Sequence, residues 1–288
     1  MEFENKIKSL PIWKNLENIE PLEGGITNLN FLVSDSGSKS VVRLGSDIPE
    51  HLVYRSNEII VSEAAYQIGV SPKLIYNEPG VLVLEFIESK TLEPKTVREN
   101  LNKIVPIIRK IHDEIPNKLS GQPQIFWVFY VIKYYSNYLL NNNSSHISLI
   151  PSLLKKAEKL EKLSSPREIV FGHNDLLAAN FLDDGSKIWV VDWEYGGFND
   201  PLFDIGGLSS NNDLDENLES EVLEMYFKEK KNGNISIVSS IAGYRGLPNS
   251  TGYGASKAAL NNLAESLYFD FGSHNVRVSL ISPGFIKT

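Results

Sequence analysis

Asp175, Asn180 and Asp192, in the segment HNDLLAANFLDDGSKIWVVD, have the residue types and spacing to transfer a phosphoryl group. That reaction needs a carboxylate to accept the proton of the attacking hydroxyl, oxygen ligands to hold Mg2+ on the phosphates, and a cation to steady the phosphate chain. Asn180 follows Asp175 by five residues, a loop long enough to aim the carboxylate at a substrate while the amide oxygen turns back to a metal. Asp192 closes the apolar run KIWVVD, so its carboxylate emerges from a buried strand where it can bind the metal bridging the phosphates. A second constellation lies further on. Tyr253 and Lys257 are one helical turn apart and project from one face. In that geometry a Lys lowers the pKa of a phenol that acts as general acid or base. Ser240, thirteen residues before Tyr253, can hydrogen-bond the reacting oxygen.

The first set needs a scaffold of short strands and loops. Residues 22–44 read as two strands, NFLV and SVVRL, joined through the hairpin signal DSGS. SNEIIVSEAAYQIG has helical spacing and stops at Gly69, with Ser-Pro just beyond. KLIYNEPGVLVLEFI gives two further strands around Pro-Gly, and this strand-rich part ends near Glu88. From 91 to 165 the pattern is helical, broken by the polar loop NNNSSH. EIVF and KIWVVD are short apolar runs flanking the chemistry-bearing loop, and an acidic helical stretch runs from Asp204 to about Lys231. At KKNGNISIVSS the character changes. A strand, the amphipathic helix STGYGASKAALNNLAESLYFDFG and a second strand ending in a Pro-Gly turn follow, and they supply the frame for Ser240, Tyr253 and Lys257.

HNDLLAANFL followed by VVDWEYGGFNDPLFDIG resembles the choline/ethanolamine kinase and aminoglycoside phosphotransferase superfamily, over roughly residues 10–230. The resemblance implies that Asp175 is the catalytic base, Asn180 and Asp192 the metal ligands, and His173 a support for the loop. GGITNLNFLV looks like that family's glycine-containing nucleotide loop, which assigns Gly24, Gly25, Thr27 and Asn28 to nucleotide binding. Arg43, in VVRLG, stands where related kinases carry a phosphate-binding Lys or Arg. Glu58 is its expected helix partner, with Glu63 the fallback. Asp204 is expected to hold the catalytic loop by hydrogen bonds, and Asp200, before Pro201, reads as a turn residue. Aromatic faces plus a carboxylate hold a quaternary ammonium, so Trp193, Glu194 and Tyr195 are candidates for the acceptor pocket. The plainer reading packs Trp193 and Tyr195 beneath the metal loop. The aromatic set from Phe126 to Tyr138 reads as mostly core.

Residues 233–288 resemble the C-terminal half of short-chain dehydrogenase/reductases, with YGASK as the Tyr-x3-Lys motif and SPGFIKT as the Pro-Gly loop. That family's first strand carries a glycine-rich turn that seats a dinucleotide pyrophosphate. No Gly-x3-Gly-x-Gly turn occurs in this chain. Ser240, Tyr253 and Lys257 are therefore read as vestigial, and NAD(P) is not expected to bind.

Bulk properties narrow the classes. A net charge of -8 argues against a nucleic-acid backbone or an anionic membrane as partner. The absence of cysteine excludes thiolate chemistry and disulfides. The start MEFENKIKSL lacks a signal-peptide layout, and IFWVFYVI is too short to span a bilayer, so a cytoplasmic protein without membrane insertion is expected. The expected fold class is α+β: a two-lobed protein-kinase-like fold with a truncated C-lobe, followed by a partial Rossmann-type β-α-β segment. Its expected parts are 1–88, nucleotide-binding; 89–231, catalytic and acceptor-binding; and 232–288, the dehydrogenase-like fragment. The expected function is an ATP- and Mg2+-dependent phosphotransferase acting on the hydroxyl of a small cationic amino alcohol, choline ahead of ethanolamine. The alternatives are an NAD(P)-dependent short-chain oxidoreductase and a catalytically dead fusion.

Overall fold

A computed structural model describes residues 2–22, 28–163, 168–227, 234–245, 248, 250–272 and 277–283. The chain forms two compact units, Met1–Leu223 and Glu224–Thr288.

The first unit opens with α1 (Glu2–Lys8), β1 (Leu16–Leu22), β2 (Leu29–Asp35), β3 (Ser38–Leu44), α2 (Arg55–Gln67), β4 (Leu74–Glu78) and β5 (Val81–Glu85). The strands form one antiparallel sheet in the order β1-β2-β3-β5-β4. Ser36 and Gly37 both have positive φ, the requirement of the tight hairpin that DSGS signals. Along β3, Ser40, Val42 and Leu44 are buried, and Val42 and Leu44 join Val33, Val81 and Val83 in a core closed by Ile7 and Leu10. The period of two sends Val41 and Arg43 to the opposite face. β1 and α1 lie outside the strands and helix anticipated from sequence. β1 reads LENIEPL, whose Pro21 and the carboxylates of Glu17 and Glu20 mark an edge strand rather than a core one.

β6 (Lys90–Thr91), α3 (Pro94–Glu99), α4 (Leu101–Glu114), β7 (Gln124–Ile125), α5 (Val128–Asn141) and α6 (Ile150–Leu163) follow. α4 buries Leu101, Ile104, Val105, Ile108, Ile111 and His112, one stripe at 3.6-residue spacing. Then come β8 (Val170–Gly172), β9 (Phe181–Asp183), β10 (Ile188–Val190), β11 (Gly197–Asn199), α7 (Pro201–Asn211) and α8 (Glu216–Phe227). Two small sheets, β10-β9-β6 and β7-β11-β8, frame the loop between β8 and β9. A five-stranded sheet with α1 and α2, followed by a mainly helical part, makes the two lobes of a protein-kinase-like fold. Asp200 caps α7 by accepting the Leu202 N–H at 2.8 Å, with Pro201 in the first turn.

The second unit contains β12 (Asn234–Val238), α9 (Thr251–Gly272) and β13 (Arg277–Ile281). β12 and β13 pair in parallel, Asn234 opposite Arg277 and Val238 opposite Ile281, which makes a strand–helix–strand unit. Val238, Tyr244, Tyr268 and Phe269 are exposed. Two strands and one helix bury too little to cover every apolar face. No helix among the described residues is long and apolar enough to cross a membrane.

Candidate active site

The loop leaving β8 is held from below by Asp204. Its carboxylate accepts the backbone N–H groups of His173 at 2.8 Å and Asn174 at 2.7 Å, and it meets His112 Nε2 of α4 at 3.0 Å. Burial alone would raise the pKa of Asp204; the hydrogen bond and charge of His112, with the His173 contacts, outweigh it and hold the carboxyl below its ordinary value. Asn174 is left-handed at φ +67, a conformation Asn tolerates better than most residues. Its Nδ2 donates to the carbonyls of Tyr195 at 2.9 Å and Gly197 at 3.1 Å, and its Oδ1 accepts from Asn199 at 3.1 Å. These contacts crowd Gly172: a Cβ there would lie 2.9 Å from Asn174 Oδ1 and 3.2 Å from Asp204 Oδ2.

His173 Nδ1 accepts the Asp175 N–H at 3.3 Å, so Nε2 carries the proton and donates to the Val191 carbonyl at 3.0 Å. The ring thereby ties the loop to the strand that delivers Asp192. Asp175 is half-buried at the mouth of the site. Desolvation raises its pKa, the Asp192 charge adds to that, and together they exceed the opposing pull of His173 and the Asn180 hydrogen bond. A carboxyl raised in this way is a stronger proton acceptor when ionised.

Asn180 donates Nδ2 to the Asp175 carbonyl at 2.8 Å and to Asp175 Oδ2 at 3.3 Å, which leaves Oδ1 as the atom suited to a cation. Val191 N–H bonds the Asn180 carbonyl at 3.0 Å, and this link sets Asn180 beside Asp192. Both line one cavity of about 350 Å3, together with Arg43, Val41, Leu84 and Leu182. Asp192 is also left-handed, at φ +68. Such strain costs about 1–3 kcal/mol and persists only where surroundings enforce it.

Arg43 reaches this cavity from the outer face of β3. Its Nη1 donates to Glu58 Oε1 at 2.5 Å and to Asp192 Oδ1 at 2.7 Å. Burial would lower its pKa, but Asp192 and Glu58 raise it overall, so the guanidinium is fixed as a cation. Of the two candidate carboxylates on α2, Glu58 is the one that meets it, whereas Glu63 is exposed.

The acceptor candidates separate. The Trp193 indole is 2% exposed, lies 4.6 Å from the His173 ring and donates to Ser71 Oγ at 3.1 Å, so it is a packing residue beneath the loop. Of the two readings of Trp193, its burial fits packing beneath the metal loop and not the lining of a ligand pocket. The left-handed turn at Asp192 points the next side chain inward. Glu194, also buried, accepts from Arg55 at 3.1 Å and Asn28 at 3.3 Å, so its charge is engaged within the protein. Tyr195 is half-buried, its ring edge-to-face with Phe126 at 5.7 Å; burial, then the charges of Glu194, Asp175 and Asp192, push its hydroxyl well above the ordinary range. Asn28 thus belongs to the Glu194 contact, and Gly24, Gly25 and Thr27 lie outside the described residues. In the second unit, Lys257 Nζ stands 5.5 Å over the Tyr253 ring and donates to the Val238 carbonyl at 3.3 Å. Ser240 Oγ accepts the Ala242 N–H at 3.3 Å, capping a short turn.

Three residues that position this site escaped sequence reasoning: Asn174, His112 and Arg55. Asn174 had a signal in the adjacent Asn-Asp of a tight loop, and Arg55 had one in its i,i+3 spacing to Glu58. His112 had none, because its partner is 92 residues away.

Residues 19–219 match the choline/ethanolamine kinase family model. The chain belongs to the choline/ethanolamine kinase family. A probable ethanolamine kinase of Arabidopsis thaliana is 32% identical over 213 residues, 67% of this chain and 55% of that protein. The chain therefore spans little more than half the length of that relative. The crystal structure of choline kinase LicA from Streptococcus pneumoniae shares the fold with a TM-score of 0.65 at 24% identity, covering 94% of this chain and 90% of that one. Residues 217–288 match the short chain dehydrogenase model instead. An uncharacterized oxidoreductase of Myxococcus xanthus is 48% identical over 60 residues, 21% of this chain and 24% of that protein.

Proposed function

We propose that the chain is an ATP-dependent phosphotransferase acting on the hydroxyl of a small amino alcohol, with choline as the preferred acceptor. The observation that carries this reading is that Arg43, Asn180 and Asp192 line one cavity, with Asp175 hydrogen-bonded to Asn180. Its lining supports a purine slot: Val41 and Leu84 from the sheet on one side and Leu182 from β9 on the other.

Two oxygen ligands, Asn180 Oδ1 and the Asp192 carboxylate, fit a hard cation that keeps water and phosphate oxygens in its remaining positions. No cluster of three or more His, Cys, Asp or Glu suited to a metal occurs among the described residues, in keeping with a site completed by the nucleotide rather than by the protein. When bound there, Mg2+ neutralises charge on the transferring phosphates. Arg43 supplies a fixed positive charge beside them, and Asp175 accepts the proton of the attacking hydroxyl. Asn180 holds the Asp175 carboxylate in orientation, and Asp204 fixes the backbone on which both are mounted.

For the acceptor, the engagement of Glu194 with Arg55 favours recognition by aromatic faces, with Tyr195 as the nearest. A trimethylammonium group donates no hydrogen bonds and is suited to such a surface, whereas a primary ammonium needs acceptors. ATP consumption measured with choline, ethanolamine and an aminoglycoside, for wild type and Asp175→Ala, tests the proposal. Choline-dependent turnover lost in the variant supports it; no acceptor-dependent turnover favours a dead fusion. The oxidoreductase reading rests on Tyr253 and Lys257 sharing one face of α9. Saturable NAD(P)H fluorescence on addition of the chain would revive it.

A further inference from the structure

Arg55 is an odd residue to find where it is. It opens α2, and a cation in the first turn opposes the helix dipole. Its side chain is only 12% exposed, so the charge is largely removed from water. Both costs need a compensating role. Its Nη1 donates to Glu58 Oε2 at 2.7 Å and to Glu194 Oε2 at 3.1 Å, and its Nε donates to the Ser46 carbonyl at 3.1 Å. Glu58 is thus shared, one oxygen to Arg55 and the other to Arg43. The charges alternate Asp192, Arg43, Glu58, Arg55, Glu194, and the two ends are separated by Trp193 alone, so the backbone closes the chain of ion pairs into a ring.

The ring ties Asp192 to Arg43 directly and to Arg55 only through Trp193 and Glu194. Arg43 holds Asp192 itself, through the same carboxylate that a metal must take. When that carboxylate turns to a cation, the Arg43 contact weakens, and Arg55–Glu194 is the ionic tie that still fixes the segment. Asp tolerates a φ of +68 better than most residues but still at a cost, and such a tie offsets that cost.

We propose that Arg55 is a positioning residue for the metal step: through Glu194 it holds Asp192 in its left-handed, metal-ready conformation. The proposal rests on the phosphotransferase reading above. The test titrates the full chain with a fluorescent non-hydrolysable ATP analogue, with and without Mg2+, for wild type, Arg55→Gln, Glu194→Gln, the double variant and Arg55→Lys. Thermal unfolding is followed in parallel. Removing a partner that orients a metal ligand lowers metal affinity roughly 10–100-fold. Arg55→Gln should therefore lose that factor from the Mg2+-dependent gain in nucleotide affinity, while affinity without Mg2+ stays within about twofold of wild type. Glu194→Gln should match it, the double variant should be no worse than either, and Arg55→Lys should recover part of the loss. Equal losses with and without Mg2+, additive losses in the double variant, or a wild-type Mg2+ response in Arg55→Gln would each overturn the inference. If Arg55→Gln does not fold, Glu194→Gln decides alone. A wild type that binds no nucleotide overturns the phosphotransferase reading and this inference with it; normal Mg2+-nucleotide binding by wild type and variants alike overturns this inference only.

Discussion

Asp204→Asn isolates the support of the catalytic loop from its chemistry. Asp204 touches no cavity residue's reactive atom, yet its two oxygens receive two backbone N–H groups and His112 at 2.7–3.0 Å. Asn is nearly isosteric but keeps one acceptor. If its oxygen faces His173 and His112, its amide meets the Asn174 N–H donor to donor, and the reverse placement strands the other two. One lost charge-assisted hydrogen bond and one buried unsatisfied donor together cost about 2–4 kcal/mol. A loop displaced by about 1 Å loses on the order of a hundredfold in turnover. All four tryptophans lie in the first unit, so guanidinium unfolding followed by their emission reports on it directly. The pH dependence has a definite sign. Because the folded protein holds the Asp204 pKa below its ordinary value, its contribution is fully present above about pH 3.9 and is lost as pH falls through the lower folded value. The gap between wild type and Asp204→Asn should therefore be constant near neutrality and narrow in acid. An unfolding midpoint and turnover both unchanged in the variant at pH 7 would refute the argument.

Asp175→Asn should reduce choline-dependent turnover by roughly 10²–10⁴-fold while nucleotide affinity is retained, checked by coupled assay and analogue binding. In wild type, kcat should fall as pH drops through the raised Asp175 pKa, placing the acid limb above the ordinary Asp value of about 3.9; a pH–rate profile flat down to pH 4 would contradict this. Tyr195→Leu should raise the choline KM several-fold, consistent with about 0.5–2 kcal/mol for a cation against an aromatic face, and leave the ATP KM unchanged. Gly172→Ala should cost about 1–3 kcal/mol of unfolding free energy in chemical denaturation, because its new Cβ would press on Asn174 and Asp204.

Some positions were legible through the resemblance, and the structure supplies their physical reason. Arg43, read from VVRLG, is turned to the cavity by the strand alternation that buries Val42 and Leu44. Glu58, the expected helix partner, shares its face with the buried Val61, Ser62 and Ala65 at i+3, i+4 and i+7, whereas Glu63 is exposed. Other positions depended on backbone that no pattern encodes. The left-handed backbone at Asn174 and Asp192 is not encoded in any periodicity, so the sequence left Trp193 open between a ligand pocket and packing beneath the loop, where its indole is buried. The pairing of His112 with Asp204 joins α4 to α7 across a sequence distance invisible to local periodicity. β1 was passed over because edge strands carry charge and Pro21 by physical necessity, and so resemble loops.

The two family likenesses in this chain differ in how local their working parts are, and that difference bears on what each retains. Asp175, Asn180 and Asp192, the residues proposed for the phosphate and metal chemistry, come from one loop and the hairpin that follows it, β9–β10. Their supports, Arg43, Glu58, His112 and Asp204, all precede residue 219, where the kinase match stops. Tyr253 and Lys257 are more local still, on a single helix turn, and they too keep their relative geometry. Hydride transfer, however, also needs a dinucleotide seat built from a glycine-rich turn in an earlier strand–helix unit. In this chain the kinase-family region occupies the place of that unit. A side-chain pair on one helix survives such a junction because helical geometry alone sets its spacing. A site assembled from distant elements depends on all of them. Ahead of the junction, the Tyr195 ring lies edge-to-face with Phe126 at 5.7 Å and its hydroxyl feels the charge of Asp175, which is why Tyr195 is the aromatic face proposed for the acceptor.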